Sequence, residues 1–236
     1  MIDLYYYPTP NTWKVSIMLE ECGLPYRVVP VNIGAGDQFK PEFLAISPNN
    51  RVPAIVDHDA EGGRLSIFES GAILVYLAEK TGRFMPKDLH GRMEVLQWLF
   101  WQMGGMGPMF GQVNHFKLIA PEKIEYAIRR YVNEANRLFG VMDRRLADRE
   151  YLAGDYSIAD MACYGWATYH EVMEQNLDEV PNVKRWFERM SARPAVQLGI
   201  SVGASMVDKD LLKNEKARKI LFGQTARSLD QGAPSE

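Results

Sequence analysis

Residues 2–23, IDLYYYPTPNTWKVSIMLEECG, decide how the chain is read. Ile2–Tyr7 is a run of strand formers stopped by Pro8 and Pro10, residues that a strand interior does not accept. Asn11 and Thr12 then offer N-cap side chains for a helix running to about Cys22. Trp13, Ile17 and the Glu20–Glu21 pair give that helix two unlike faces, and Gly23 stops it.

The same alternation continues outward. Tyr26–Val31 reads as a strand, 32–37 as a polar loop and 38–45 as a short helix. Ser47-Pro48-Asn49-Asn50 is a turn. Ala54–Asp57 and Leu65–Phe68 are short strands around the turn DAEGGR, and Glu69–Lys80 is a helix with an apolar stripe of Ile73, Leu74, Tyr76 and Leu77. The order β-α-β-α-β-β-α predicts a small mixed sheet with helices packed on it and a right-handed first crossover. Beyond Pro86 the pattern is helical throughout. A helix over 91–103 is expected to be interrupted at Gly104–Pro108 by a kink or a break. A long helix is expected from Pro121, with Ile124, Ile128, Tyr131, Ala135, Leu138 and Met142 on one face. Ser157–Asp160 has the form of a capping box, and shorter helices are expected at 181–190, 194–200 and near 210–222. The expected organisation is an α/β unit over 1–84, an all-helical unit over 85–200 and a C-terminal extension over 201–236.

Composition narrows the function classes. The chain has 236 residues, of which 47% are hydrophobic and 24% charged, with a net charge of -3. It has no basic field to hold a nucleic acid or an anionic membrane, so neither is an expected partner. No apolar run reaches the ~18 residues of a membrane span. The start carries Asp3 and no basic stretch, unlike a secretory signal. The two cysteines, Cys22 and Cys163, form no metal or redox motif, which fits buried apolar roles and a reducing, cytoplasmic setting. The four histidines show no ligand spacing, so no metal is expected.

Three places carry polar groups suited to binding. At the first strand-to-helix turn, Thr9 offers a hydroxyl and Asn11 an amide NH2 beside a helix N-terminus, where an anion is stabilised; simple capping by Asn11 and Thr12 is the other reading. At Val52-Pro53 an X-Pro bond opens a strand, and a cis bond there would leave the Val52 backbone free to pair with an extended peptide; an ordinary trans strand start is the alternative. At Glu69-Ser70 a carboxylate and a helix N-terminus could hold the amine and carboxylate of an α-amino acid, or merely cap the helix. Arg130 lies off the apolar stripe of its helix.

Taken jointly, YYPTPN, NNRVPAIVD, FESGAILVYLAEK and YSIAD resemble the glutathione transferase family in order and spacing. DQFKPEF, LQWLFWQMGGMGPMFGQ and YAIRRY resemble its bacterial nu class. The resemblance covers residues 1 to about 200. It implies a thioredoxin-like N-terminal domain, an all-α C-terminal domain and a homodimer. It implies glutathione as co-substrate, with Val52 and Pro53 pairing its cysteinyl backbone and Glu69 and Ser70 holding its γ-glutamyl end. Gln38 and Lys40 would lie at the glycyl end, Asn11 and Thr9 near the sulfur, and Arg130 at the glutathione site. The Tyr, Ser or Cys that most transferase classes place in the first turn is replaced here by Thr9 and Asn11. The implied activity is reduction of a small disulfide by bound glutathione, with weak transferase or peroxidase activity. Conjugation of electrophiles, or a non-catalytic carrier or regulator, are the alternatives.

Overall fold

β1 (Ile2–Tyr6) is the central strand of a four-stranded sheet ordered β2-β1-β3-β4, which explains why Ile2, Asp3, Leu4 and Tyr6 are all buried. The structure is a computed structural model that describes residues 1–226. β2 (Tyr26–Pro30) runs parallel to β1, while β3 (Ala54–Asp57) is antiparallel to β1 and β4 (Leu65–Phe68) antiparallel to β3. Asp3, buried on the central strand, is held by Arg27 at 2.8 Å and His58 at 3.0 Å. The register places Tyr5 opposite Ala54 and Ala54 opposite Phe68. The end of β1, the start of β3 and the end of β4 therefore meet at one end of the sheet, and the segments flanking them converge there.

α1 (Pro10–Cys22) begins one residue before the expected cap. Thr9, not Asn11, is its N-cap: Thr9 and Thr12 exchange side-chain and backbone hydrogen bonds in a capping box, and Pro10 takes the first helical position. Proline suits that position because its missing N–H would have no intrahelical acceptor. Asn11 is thus released from capping. Gly23 closes the helix in the left-handed conformation, with φ 64°. After a 3-10 turn at Asp37–Phe39 and α2 (Pro41–Leu44), α3 (Ser70–Thr81) packs on α1.

The helical part departs from expectation at its glycines. α4 (Leu89–Trp101) does not break; it widens into a π turn at Gln102–Met106 and continues as α5 (Gly107–Asn114), with a second π turn at His115–Ile119. Pro108 has no N–H and its ring would press on the carbonyl of Gly104, so a wider turn keeps the helix continuous where an α turn would not. α6 (Glu125–Arg145) starts later than Pro121, leaving Ile124 46% exposed as its N-cap, while Ala135, Leu138 and Met142 are buried as the stripe required. α7 (Ile158–Ala167) is opened by the Ser157–Asp160 capping box. α8 (Pro181–Ser191), α9 (Pro194–Ser201) and α10 (Glu215–Phe222) follow.

α1 packs against α3, α7 and α9. Two glycines permit this: a Cβ at Gly165 would lie 2.7 Å from the Pro10 carbonyl oxygen, and one at Gly199 2.6 Å from the Ile17 backbone. One apolar core runs from Leu4 and Ile17 through Leu74 and Phe110 to Met161 and Trp186, joining the sheet to the helices. The chain after residue 201 crosses the same end of the sheet. The Asp208 N–H donates to Tyr7 Oη, Asn50 Nδ2 to Gln224 Oε1, and Arg218 to the Ile119 carbonyl at 2.7 Å. The remainder of the expected extension, 227–236, lies outside the described residues. Among the described residues no helix is long and apolar enough to cross a membrane.

Candidate functional site

The converging segments line two adjoining cavities of about 370 and 650 Å3, each of a size that takes a small ligand. Asn11, Arg51, Val52, Gly111 and Trp166 belong to both and form their common wall.

Asn11 occupies the first turn of α1, and Trp166 Nε1 of α7 donates to its Oδ1 at 3.0 Å. An indole N–H only donates, so it identifies the amide oxygen and turns the NH2 the other way. Nδ2 has no partner among the described residues. The result is an oriented donor beside the positive end of α1. Thr9, the other first-turn residue, lines only the larger cavity, with its hydroxyl engaged in the capping box.

Val52-Pro53 is cis, and both residues line the smaller cavity. Neither the N–H nor the C=O of Val52 has a backbone partner among the described residues. Glu69 and Ser70 line the same cavity. Glu69 is the N-cap of α3 with φ 71° and ψ 114°, a conformation that non-glycine residues seldom adopt, and it makes no side-chain cap. The first N–H groups of α3 are thus left uncapped beside a carboxylate, which Asn49 Nδ2 approaches at 3.4 Å. Ser70 is 4% exposed.

Gln38 is buried in the wall of the larger cavity; its Nε2 donates to the Ile33 carbonyl at 3.1 Å, while its Oε1 has no partner among the described residues. Lys40 and Arg130 are not brought to either cavity. Lys40 pairs with Asp37 at 2.7 Å on the surface, and Arg130 lies 3.6 Å from Glu134 one turn along α6.

Several polar residues of the site were not singled out in the sequence. Lys14, one turn into α1 from Asn11, is 1% exposed and lines the smaller cavity. Its ammonium donates to Gln102 Oε1 at 2.8 Å and lies 3.4 Å from Ser70 Oγ and from Met103 Sδ. Burial pulls its pKa down to about 7, with Cys163 and Glu69 acting in the opposite direction. Arg51 lines both cavities with no ion pair among the described residues. The available signal was a polar residue inside an apolar run: Lys14 before Val15 and Ile17, Gln102 after WLFW.

The cysteines stand apart from this wall. Burial pushes both thiols up, Cys163 well above the ordinary thiol range, so neither offers a thiolate at neutral pH. Tyr6 Oη donates to the Val202 carbonyl at 3.0 Å and is wholly buried. Among the described residues no cluster of metal-ligating side chains occurs. What the site offers is an acid and a helix N-terminus for the two charges of an amino-acid end, open backbone at Val52, and an amide NH2 facing the place where the cavities join.

Residues 9–80 match the family described as Glutathione S-transferase, N-terminal domain, and 105–194 match Glutathione S-transferase, C-terminal domain. The chain is 54% identical over 198 residues to Disulfide-bond oxidoreductase YfcG of Escherichia coli K12, covering 83% of this chain and 92% of that protein. It is 42% identical over 212 residues to Disulfide-bond oxidoreductase YghU of the same organism, covering 84% and 73% respectively. Among solved structures, a glutathione transferase family member from Pseudomonas fluorescens, with two glutathione bound, superposes with a TM-score of 0.80 at 47% identity over 84% of this chain and 92% of that one. A glutathione transferase from Pseudomonas putida, with one glutathione disulfide bound per subunit, gives 0.81 at 44% identity over 86% and 91%. The sheet order, the helical part packed on α1, the residues at the end of the sheet and these matches agree: the chain belongs to the glutathione S-transferase family.

Proposed function

We propose that this chain is a glutathione-dependent disulfide-bond oxidoreductase of the nu-class type, with weak transferase and peroxidase activity at the same site. The observation that carries the reading is the Asn11 amide, oriented by Trp166 in the wall common to both cavities. In this reading the smaller cavity holds one glutathione. Glu69 receives its α-ammonium, Ser70 and the start of α3 its α-carboxylate, and the Val52 backbone its cysteinyl amide. Its sulfur then lies by Asn11 Nδ2 and the α1 N-terminus, which together favour the thiolate. The larger cavity takes the disulfide and then a second thiol, with Gln38 and Arg51 available to its polar ends. Thr9 acts from the cap by fixing the turn that carries Asn11. Lys40 and Arg130, surface residues in this chain, would serve a bound glycyl end only after leaving Asp37 and Glu134.

The glutathione thiolate attacks one sulfur of the disulfide. A glutathione–substrate disulfide forms, the substrate S–S bond breaks, and the departing thiolate takes a proton. A second glutathione thiolate attacks the glutathione sulfur of that mixed disulfide, forming oxidised glutathione and releasing the second substrate thiol. Two glutathione thiols are oxidised, one disulfide is reduced, and no protein cysteine takes part. The chain supplies alignment and thiolate stabilisation. A reducing cytoplasm, where reduced glutathione is plentiful, is the setting this chemistry needs.

The working unit in this reading is a homodimer. Phe100, Leu89 and Met93 of α4 are 67%, 70% and 44% exposed, and an apolar cleft runs between α3 and α4 beside Glu69. A second copy covering that face would close the site on its Glu69 side. Sedimentation equilibrium at micromolar concentration tests it: a fully active species near 26.9 kDa would refute the dimer. The activity itself is tested by steady-state reduction of the glutathione–hydroxyethyl mixed disulfide beside conjugation of a chloronitrobenzene. Turnover of the disulfide should be much the faster; rapid conjugation with no disulfide turnover would overturn the reading.

A further inference from the structure

The floor of the smaller cavity holds an unusual set of groups. The Lys14 ammonium is buried and pairs with no carboxylate among the described residues. Gln102 is wholly buried, and with its Oε1 engaged by Lys14 its Nε2 has no acceptor among the described residues. Ser70 Oγ lies 3.4 Å from the Lys14 Nζ. An ammonium can only donate, so Ser70 Oγ is the acceptor of that contact and its own hydrogen is left for another group. Met103 Sδ, a weak acceptor at 3.7 Å, is the one neighbour placed to receive it among the described residues. The cluster is therefore all donors: a cation, an unpartnered amide NH2, a hydroxyl and the uncapped start of α3. Glu69 acts on Lys14 but forms no ion pair with it among the described residues, and a buried charge without a paired counterion is costly to keep.

We propose that Lys14 is the positioning cation for the α-carboxylate of a glutathionyl ligand: it fixes the Ser70 hydroxyl as a donor toward the cavity and supplies the buried countercharge, with Gln102 holding the ammonium in place. The inference rests on glutathione being the ligand and adds that its binding is tied to a proton. With a pKa of about 7 in the empty site, Lys14 is mostly neutral at pH 8. A carboxylate at Ser70 favours the charged form and raises that pKa, so the ligand binds together with a proton. The sign follows. The carboxylate finds the countercharge already present below pH 7, and affinity falls as pH rises above it.

The other ionisable groups near Lys14 come from α3 and α7. From the start of α3 comes Glu69, and from α7 Cys163, whose thiol is held neutral by burial. Asp160, deeper in α7, titrates at about 6. α9 carries no ionisable side chain, and neither does the π turn of Gln102–Met106.

The probe is S-methylglutathione, which has both carboxylates and the amine but no thiol to release a proton. Calorimetric titration at pH 8, in phosphate and in Tris, reads proton uptake from the difference in observed enthalpy. Wild type should take up about half a proton or more per ligand, and its affinity should fall by roughly fourfold to twentyfold from pH 6.5 to 8.5. Lys14→Met should fold, since it replaces a buried stem with an apolar one. It should bind at least about tenfold more weakly at pH 6.5, with most of the proton uptake lost and a much flatter profile over the same range, the remainder coming from the ligand's own amine. Wild type binding with no proton uptake, or Lys14→Met keeping the wild-type uptake, overturns the role of Lys14 and leaves the glutathione reading standing. Wild type failing to bind S-methylglutathione at millimolar concentration overturns both. The wild-type titration needs no variant, so a misfolded Lys14→Met would not shelter the inference.

Discussion

Replacing Asn11 separates a catalytic amide from a structural one. The side chain does two things: its Oδ1 accepts from Trp166 Nε1 at 3.0 Å, and its Nδ2 is left unpartnered among the described residues in the wall common to the cavities. Asn11→Ala removes both. A hydrogen bond to a charged partner is worth about 1.5–3 kcal/mol, so loss of the thiolate contact should lower kcat/KM for disulfide reduction about tenfold to a hundredfold. Affinity for S-methylglutathione, whose sulfur bears no charge, should stay within about twofold, because a bond to a neutral acceptor is worth far less. Asn11→Asp is the sharper variant. It has nearly the same shape and still accepts from Trp166, but it turns a second oxygen, carrying negative charge, toward the sulfur. It should raise the pKa of the bound thiol and be slower than Asn11→Ala at neutral pH, with the alkaline rise of its rate profile moved to higher pH. The assays are steady-state reduction of the hydroxyethyl mixed disulfide from pH 6 to 9.5 and calorimetry with S-methylglutathione. An Asn11→Asp enzyme as active as wild type would refute the reasoning, since it would mean that satisfying Trp166 was the whole role of the residue.

Glu69→Gln and Ser70→Ala should both weaken glutathione binding in calorimetry while changing kcat little, with Glu69→Gln the larger loss because it removes the charged partner; variants that bind like wild type would leave this helix start as a mere cap. A Cys22→Ala/Cys163→Ala protein should keep most of its disulfide reductase activity, any decline following the loss of stability from the void at Cys163; loss of turnover in a fully stable protein would point to a protein thiol as nucleophile. Asp160→Asn should destabilise the fold by about 2–4 kcal/mol in chemical denaturation without altering the reaction, because an amide NH2 cannot accept all the bonds the carboxylate takes from Leu152, Ser157 and Trp186; a change within 0.5 kcal/mol, on the order of an ordinary surface substitution, would contradict it.

What could be read in the amino acids depended on whether a local rule governed the outcome. The four strands and α3 announce themselves through strand formers, turn residues and helix stops, and the structure places them within a residue or two of expectation. The Ser157–Asp160 box is legible for the same reason: capping is a contact within four residues. Local rules misled at the start of α1, where Asn11 and Thr12 were the expected caps and Thr9, two residues before Asn11, takes the position. Pro10 decides for Thr9 by taking the first helical position, and that choice releases Asn11 to face the cavity. They left the outcome open at Gly104–Pro108, where a proline inside a helix can kink it, break it or widen a turn. Both flanks, α4 and α5, are anchored in the core through Leu99, Phe110 and Val113, which keeps the axis continuous and selects the π turn.

The polar floor of the smaller cavity was illegible because its logic is tertiary. Nothing within a few residues of Lys14 explains a buried lysine; its partners Ser70 and Gln102 stand 56 and 88 positions away. The same holds for Asn11 and Trp166, separated by 155 positions and joined because Gly165 lets α7 touch the first turn of α1. Both contacts pass through α1, whose N-terminal turn is clasped by α7 on one side and faces the start of α3 on the other. The site is accordingly a property of how the helical part seats on the sheet, not of the sheet alone. A change that displaces α7, such as Gly165→Ala with its Cβ 2.7 Å from the Pro10 carbonyl oxygen, should act on the site through the orientation of Asn11, lowering turnover more than affinity for S-methylglutathione.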